Sequence, residues 1–428
     1  MRRQLGPRIG HAMIPSMSLS PIARRGLLAM FSSTFFELCG VFMMQPLNLL
    51  RLKAAGVDTA WVGLFAATVW LAIFFITPFV THITTALGRR HALWLSAWIP
   101  VFSGLVYAIS DAIWAWVLAA AISGLAGGLR WILAEALIAE FAPAQRRGAM
   151  VGWFETMVGL TFVLGPVLLS LTGPASPHAV WVAWGLLLCG SLISLAIPPL
   201  HHDDHATTAR GWRGIWRAFR AAPVVMLAGF TGGFFEAGLS SMLPLYGLSL
   251  GLGAAAAALM VSASGLGSSV AMWPMGWLSD RLARRHHAHA RGAALARWQL
   301  LRVCALVTLL ATLCLPLVAH APALAWALCL AWGAAGGSLY TLAMIDIGSQ
   351  HRGVALENAT AVLVLSYTVG GMLAPSLGAA ALQASPRWGF AALLASVAAL
   401  ASWALWRWGA PTPTPLEAPI EPHDHPTP

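Results

Sequence analysis

Long apolar runs, separated by short polar or charged breaks, make up almost the whole chain. A helix crossing a bilayer core of about 30 Å needs roughly 20 apolar residues. Runs of that kind occupy 27–50, 60–82, 92–110, 113–141, 148–172 and 178–199, then resume at 223–247, 254–278, 299–319, 323–347, 359–383 and 387–407. The pattern predicts an all-α membrane protein with 12 transmembrane helices in two six-helix bundles. The organisation expected is a cytoplasmic N-terminal segment over 1–26, one bundle over 27–199, a central cytoplasmic loop over 200–222, a second bundle over 223–408 and a Pro-rich, disordered cytoplasmic tail over 409–428. In the central loop, Trp212, Ile215, Trp216 and Phe219 share one helical face and Arg213, Arg217 and Arg220 another. That pattern predicts an amphipathic helix on the inner leaflet, with a partly ordered linker as the alternative.

The two sets of six also repeat in sequence. FFE at 35–37 recurs at 234–236, Pro46 is echoed by Pro244, RRG at 146–148 by HRG at 351–353, and LGP at 164–166 by LAP at 373–375. Each match is short; their shared order predicts pseudo-symmetric halves.

Composition agrees. Hydrophobic residues make up 58% of the 428 and charged residues only 9%, against roughly 25% charged in a soluble domain. The net charge of +10 does not gather on one face, so it points to membrane topology and not to nucleic acid. With both termini inside, 21 of the 25 cations fall on the inner side. Arg51, Lys53 and Arg387 fall outside and Arg130 lies within a span, which is the positive-inside pattern. A multi-pass protein of the inner (plasma) membrane is expected. Lys53 is not preceded by a Gly-x-x-x-x-Gly, so ATP hydrolysis through a P-loop is excluded; no His-Glu-x-x-His or Gly-x-Ser-x-Gly is found, which leaves an intramembrane hydrolase as a remote third reading. The chain is not expected to be an enzyme, and no cofactor or resident metal is expected. The five cysteines sit in apolar runs and read as small hydrophobes. The His-rich tracts at 201–205, 286–290 and 423–425 read as solvated polar segments, with metal capture as the lesser alternative.

Charged residues inside the spans are costly and therefore informative. Glu37 and Glu236 follow the repeated Phe-Phe pair; at about 1.5 Å per residue they lie roughly 15 and 18 Å deep, near the midplane. Arg130 has comparable depth, Glu135 lies nearer the inner side, and Asp346 closes its span at the inner end. One midplane arginine cannot pair with both Glu37 and Glu236, so at least one carboxyl lacks a cation and is suited to carry a proton. The alternative is that each acid is a permanently protonated, hydrogen-bonded structural group. Tyr340, Tyr246, Asn48 and Trp131 are further candidates to touch a solute. Glu155 reads as structural, beside Arg146 and Arg147.

The loops carry a resemblance. GWLSDRLARR, with Gly276, Asp280, Arg281, Arg284 and Arg285, resembles the Gly-x-x-x-Asp-Arg-x-Gly-Arg-Arg signature of the major facilitator superfamily. THITTALGRR keeps Gly88, Arg89 and Arg90 of the same signature, with Thr85 where the Asp would stand. EFAPAQRRG resembles the Glu-x6-Arg spacing of sugar porters through Glu140 and Arg147, and GLTFVLGP resembles the Gly-Pro motif of antiporters. GGSLYTLAMIDIG and LENATAVLVLSYTVGGMLAP look like the YcaD-like branch. The resemblance covers 25–408 and implies a secondary transporter in which spans one, four, seven and ten line a central cavity. Those spans hold Glu37, Arg130, Glu135, Glu236, Tyr340 and Asp346, the expected substrate and proton-coupling set. Arg89, Arg90, Glu140, Arg147, Gly276, Asp280, Arg281, Arg284 and Arg285 form the expected cytoplasmic gate, with Asp280 placed to accept N–H groups at the start of the fifth span; for the loop arginines, topology alone is an equal reading. The expected function is proton-coupled alternating-access transport of a small organic solute by a monomer in the lipid bilayer. A drug or metal efflux antiporter, or a receptor or scaffold that keeps the fold without transport, remains open.

Overall fold

The computed structural model describes residues 21–57, 59–173, 175–199, 211–236, 242–285, 290–318 and 321–408. The His-rich tracts at 201–205 and 423–425, most of the one at 286–290, and the tail at 409–428 lie outside them. Among the described residues every regular element is helical. The first half holds α1 (Pro21–Ala54), α2 (Thr59–Ile76), which continues through a 3-10 turn into α3 (Val80–Leu87), then α4 (Arg89–Ile109), α5 (Ile113–Phe141), α6 (Arg147–Thr172) and α7 (His178–Ser194). A connecting helix, α8 (Gly211–Ala221), follows. The second half holds α9 (Pro223–Glu236), α10 (Leu243–Ser249), α11 (Ala254–Arg285), α12 (Ala290–Cys314), α13 (Pro322–Gln350), α14 (Gly353–Ala384) and α15 (Gly389–Arg407).

Nine helical stretches among the described residues are long and apolar enough to cross a bilayer. The twelve-helix arrangement is completed by the 17-residue α7, by α11 and by the seventh span. The apolar run 223–247 reads as one span, but it is described as two helices, α9 and α10. Pro244 lies at the start of α10, where its missing N–H leaves no helical bond unmade.

The internal repeat is visible in the packing. In the first half α2 packs on α5, α1 on α6 and α7, and α4 on α5 and α7; in the second half α11 packs on α13, α9 on α14 and α15, and α12 on α13 and α15. Each pairing has its counterpart at the matching position. The halves meet mainly along α6 and α11, with further contact of α14 on α2, α3 and α5.

Small residues permit the α6–α11 contact. A Cβ placed on Gly276 would fall on the Gly148 carbonyl, and one on Gly152 would fall on that of Met272. Without side chains the two backbones approach directly, as at close helix crossings in membranes. The connecting helix α8 turns by 98° into α9. Its Trp212, Trp216 and Phe219 are exposed, but Ile215 is buried with Gly214. The apolar face expected for this helix is therefore divided, because Ile215 faces protein. Gly211 N–H donates to Thr81 Oγ1 at 3.0 Å, so this segment, packed on α14, also touches the first half.

A Val at Gly276 is expected to force α6 and α11 apart and to destabilise the protein by about 1–3 kcal/mol, the usual range for overpacking. Gly185→Ala, where a Cβ meets nothing within 4 Å, is expected to stay within about 1 kcal/mol of the parent. Thermal melts of the two variants in detergent check the contrast.

Candidate functional site

A cavity of about 250 Å³ lies within the bundle. It is lined by Thr34 to Asn48 of α1, Phe65 to Ile73 of α2, Pro100 to Tyr107 of α4, and Ala120 to Glu135 of α5. Phe154 to Phe162 of α6 also line it, and the second half adds Glu236, Met272, Tyr340 and Tyr367. α1 and α4 begin, and α2 (through α3) and α5 end, at the end of the bundle that carries Arg24, Arg25, Arg89, Arg90, Arg146 and Arg147. The lining residues of α1, α2 and α4 lie toward the opposite end. The cavity therefore occupies the part of the bundle away from the arginine-rich end.

Four carboxyl groups and one guanidinium line it. Glu37 and Arg130 are each 4% exposed, and Arg130 Nε lies 2.6 Å from Glu37 Oε2. Arg130 Nη2 also donates to Ser33 Oγ at 2.8 Å. The one midplane cation is thus held by Glu37, with Nη1 left without a hydrogen-bond partner. Glu236 has no arginine; it accepts from Ser268 Oγ at 2.7 Å and from the Tyr367 hydroxyl at 3.4 Å. Glu135, 2% exposed, accepts from Trp131 Nε1 on its own helix. It accepts also from Tyr340, whose hydroxyl lies 2.8 and 2.7 Å from its two oxygens. Tyr340 belongs to the other half, so this bond crosses between halves beside the cavity. Glu155, 6% exposed, also lines the cavity, and its buried Oε1 has no hydrogen-bond partner among the described residues.

Three aromatic rings sit among these acids. Tyr340 and Tyr367 have centroids 5.0 Å apart at an angle of 69°, and Trp131 lies 5.5 Å from Tyr367 and 6.4 Å from Tyr340. All three line the cavity.

The arginine-rich end is closed by bonds between halves. Asp280 accepts the N–H groups of Gly148 and Ala149 through Oδ1 and Oδ2 at 2.9 and 2.8 Å, at the N-terminus of α6 where the helix dipole favours an anion. Arg284 donates to the Gln145 carbonyl at 2.8 Å. At the matching place in the other half, Thr85 cannot do what Asp280 does. Glu357 of α14, fully buried, supplies the acid: Arg89 Nε donates to it, as does Thr84 Oγ1 at 2.8 Å. Arg89 also holds Glu140 at 2.9 Å. The missing loop carboxylate is replaced by one reaching back from the opposite helix. In the adjoining α13–α14 turn, burial lowers the His351 pKa below its ordinary value of 6.5, so the ring is neutral at pH 7 and adds no charge there.

The family model described as Major Facilitator Superfamily matches residues 30–357. The chain belongs to this superfamily. Among similar proteins is the uncharacterized MFS-type transporter YcaD of Salmonella paratyphi B, 26% identical over 362 residues that make up 81% of this chain and 88% of that one. Similar solved folds include the human organic anion transporter MFSD10 (TETRAN), 17% identical, with a TM-score of 0.71 over 90% of this chain and 100% of that one. FucP in its outward conformation is 16% identical, with a TM-score of 0.69 over 89% of this chain and 97% of that one. These likenesses give this superfamily member its fold and its class, transporter and not enzyme.

Within this MFS protein the structure brings Glu37, Arg130, Glu135, Glu236 and Tyr340 together around one cavity. Asp346 does not join them: it is buried in an ion pair with Arg297 at 3.0 Å and accepts from Gln350 at 2.7 Å, away from the cavity lining. Its place at the end of α13, one helix turn from Gln350, explains the difference. Glu140 and Arg147, read together from their spacing, separate: Glu140 pairs with Arg89, and Arg147 Nε donates to the Ala139 carbonyl at 2.8 Å. Arg90 lies over the Trp94 ring at 4.4 Å and Arg281 over Trp277 at 5.2 Å, while Arg285 is exposed. Gly276 acts through the backbone contact already described.

Sequence reasoning missed Glu155, Tyr367 and Glu357. Glu155 was assigned to Arg146 and Arg147 by proximity in the chain, but it lies two helical turns into α6 and faces the cavity. Glu357 fell just before the apolar run that begins at 359. Its signal was an acid one turn into an apolar helix.

Removing the Arg89 side chain leaves the fully buried Glu357 without its cation, so Arg89→Ala is expected to cost about 3–5 kcal/mol. Arg285→Ala is expected to change stability by less than about 0.5 kcal/mol. Melting temperatures in detergent test the pair.

Proposed function

We propose that this chain is a proton-coupled secondary transporter that moves a small organic solute across the plasma membrane by alternating access. In this reading the arginine-rich end and both termini are cytoplasmic, and the conformation described here is closed to the cytoplasm. The observation that carries the reading is the Tyr340–Glu135 bond. It joins the two halves at a buried carboxyl that lines the cavity and whose hydrogen-bond donors are hydroxyl and indole groups. Separation of the halves removes that donor, so the same movement that exposes the cavity to the other side changes how firmly Glu135 holds a proton. FucP, a fucose:proton symporter of Escherichia coli, and the proton:xylose symporter XylE have similar folds, which supports proton coupling in this architecture without indicating the cargo.

A receptor or scaffold is the weaker reading. Midplane carboxyls without cations are costly, and Glu236 and Glu155 line open space where a scaffold would need none.

The test uses proteoliposomes loaded with a pH-sensitive dye and a panel of sugars, organic acids, amino acids and organic cations. At least one solute is expected to change the internal pH, at a rate reduced tenfold or more in Glu236→Gln. A panel that moves no protons through the wild-type protein would sink the reading.

A further inference from the structure

We propose that α8 is a binding site for anionic phospholipids, and that lipid held there keeps the two halves together at the arginine-rich end. The site stands apart from the cavity; its effect on closure rests on the alternating movement proposed above.

α8 has three sides. At about 100° per residue, Gly211, Gly214, Ile215 and Ala218 fall on one, Trp212, Trp216 and Phe219 on the next, and Arg213, Arg217 and Arg220 beyond them. The first side meets protein: Gly211, Gly214 and Ile215 are buried, and Ala218 packs partly covered on the apolar core. The other two sides are exposed. Trp216 and Phe219 stack with ring centroids 5.8 Å apart at 15°, and the Arg220 guanidinium lies 4.9 Å over the Trp216 ring. The aromatic and cationic stripes therefore form one continuous surface. No acid occurs between Gly211 and Ala221. Among the described residues no carboxylate pairs with these three arginines.

The direction of the helix points to the partner. α8 turns by 98° into α9, the start of the seventh span, so a span that runs through the bilayer lays α8 along the membrane surface. Adjacent aromatic rings are poorly placed in water and well placed where headgroups meet acyl chains. Arginines one stripe farther round reach lipid phosphates, each worth roughly fivefold in affinity at an anionic surface. A neutral lipid suits the rings and leaves the arginines unmatched. An acidic peptide in water suits the arginines and leaves the rings exposed. An anionic bilayer suits both.

The buried side links this surface to closure. α8 packs on α14 of the second half, and on α3 and the 3-10 turn before it in the first. Gly211 N–H donates to Thr81 Oγ1 at 3.0 Å, and one turn farther along α3 the Thr84 hydroxyl donates to Glu357 of α14 at 2.8 Å. Two buried threonines of one short helix thus receive both α8 and α14. Opening this end separates α3 from α14, and α8 must then leave one of them. A helix anchored along its length by lipid resists that departure, so the closed form binds the lipid better than the open form.

The experiment follows amide hydrogen exchange of the full chain in nanodiscs of phosphatidylcholine, alone or with one third phosphatidylglycerol. The amides of 211–221 report the site. Those of Gly148 and Ala149, which Asp280 holds from the other half, report closure. Phosphatidylglycerol is expected to slow exchange at both places at least fivefold. Arg213→Gln/Arg217→Gln/Arg220→Gln is expected to lose both effects. Arg24→Gln/Arg285→Gln/Arg407→Gln, which removes as many exposed arginines from the same end, is expected to keep them. Salt at about 1 M, which screens charge beyond about 3 Å, is expected to weaken the protection at least twofold in the unaltered protein, a check that survives if the first variant does not fold. Equal protection in both lipids, or protection unchanged by the α8 substitutions, would overturn the lipid site. Protection of 211–221 with Gly148 and Ala149 unaffected would overturn the link to closure. Polyglutamate protecting 211–221 in pure phosphatidylcholine as well as phosphatidylglycerol does would give the surface to an acidic polypeptide and overturn the lipid assignment.

Discussion

A charge removed from water must meet an opposite charge, a proton or a set of donors, and this constraint organises the structure around its few ionisable groups. Among the described residues three of the four buried arginines meet carboxylates, Arg130 at Glu37, Arg89 at Glu357 and Glu140, and Arg297 at Asp346, while Arg147 donates to the Ala139 carbonyl. The carboxyls left over collect around the cavity, where hydroxyl and indole donors surround them. The cost of burying charge thus divides the acids into those paired with arginine and those that face the cavity without one.

The same constraint explains how the two ends differ. At the arginine-rich end, bonds between halves are complete: Asp280 caps the start of α6, Glu357 gathers Arg89 and Thr84, and glycine backbones touch along α6 and α11. Such contacts are close and directional, so they are either made or broken, with little between. Farther along, the bonds between halves thin out to Tyr340 on Glu135 and Thr156 Oγ1 receiving the Trp273 N–H at 3.2 Å, and the cavity begins. Closure at one end, with buried carboxyls lining the cavity beyond it, is the arrangement on which the proposed coupling of helix movement to a proton rests.

The degenerate signature shows how an architecture survives loss of one of its residues. Thr85 leaves the first half without the carboxylate that Asp280 provides in the second. The buried Glu357 meets the same region from the opposite helix, with Arg89 as its partner. The symmetry is kept in helix pairing and broken in the chemistry that holds the halves shut.

Hydrophobic run length, the order of repeated motifs and the distribution of arginines determined the twelve-helix class and its division in two, because a bilayer imposes length and satisfaction of the backbone on any span. They also marked Glu37, Arg130, Glu135 and Glu236, since a charge in an apolar run is visible without a structure. What they could not decide was partnership. Glu37, and not Glu236, holds Arg130; Asp346 goes to Arg297; Glu140 goes to Arg89 and not to Arg147. Glu155 and Glu135 line one cavity from neighbouring helices, Tyr340 reaches Glu135 from the other half, and Tyr367 reaches Glu236 within its own half. Those pairings depend on helix rotation and on the approach of segments as much as 205 residues apart. Only the tertiary structure sets them, because whether a buried group is charged, neutral or shared depends on the atoms within a few ångströms of it and not on its neighbours in the chain.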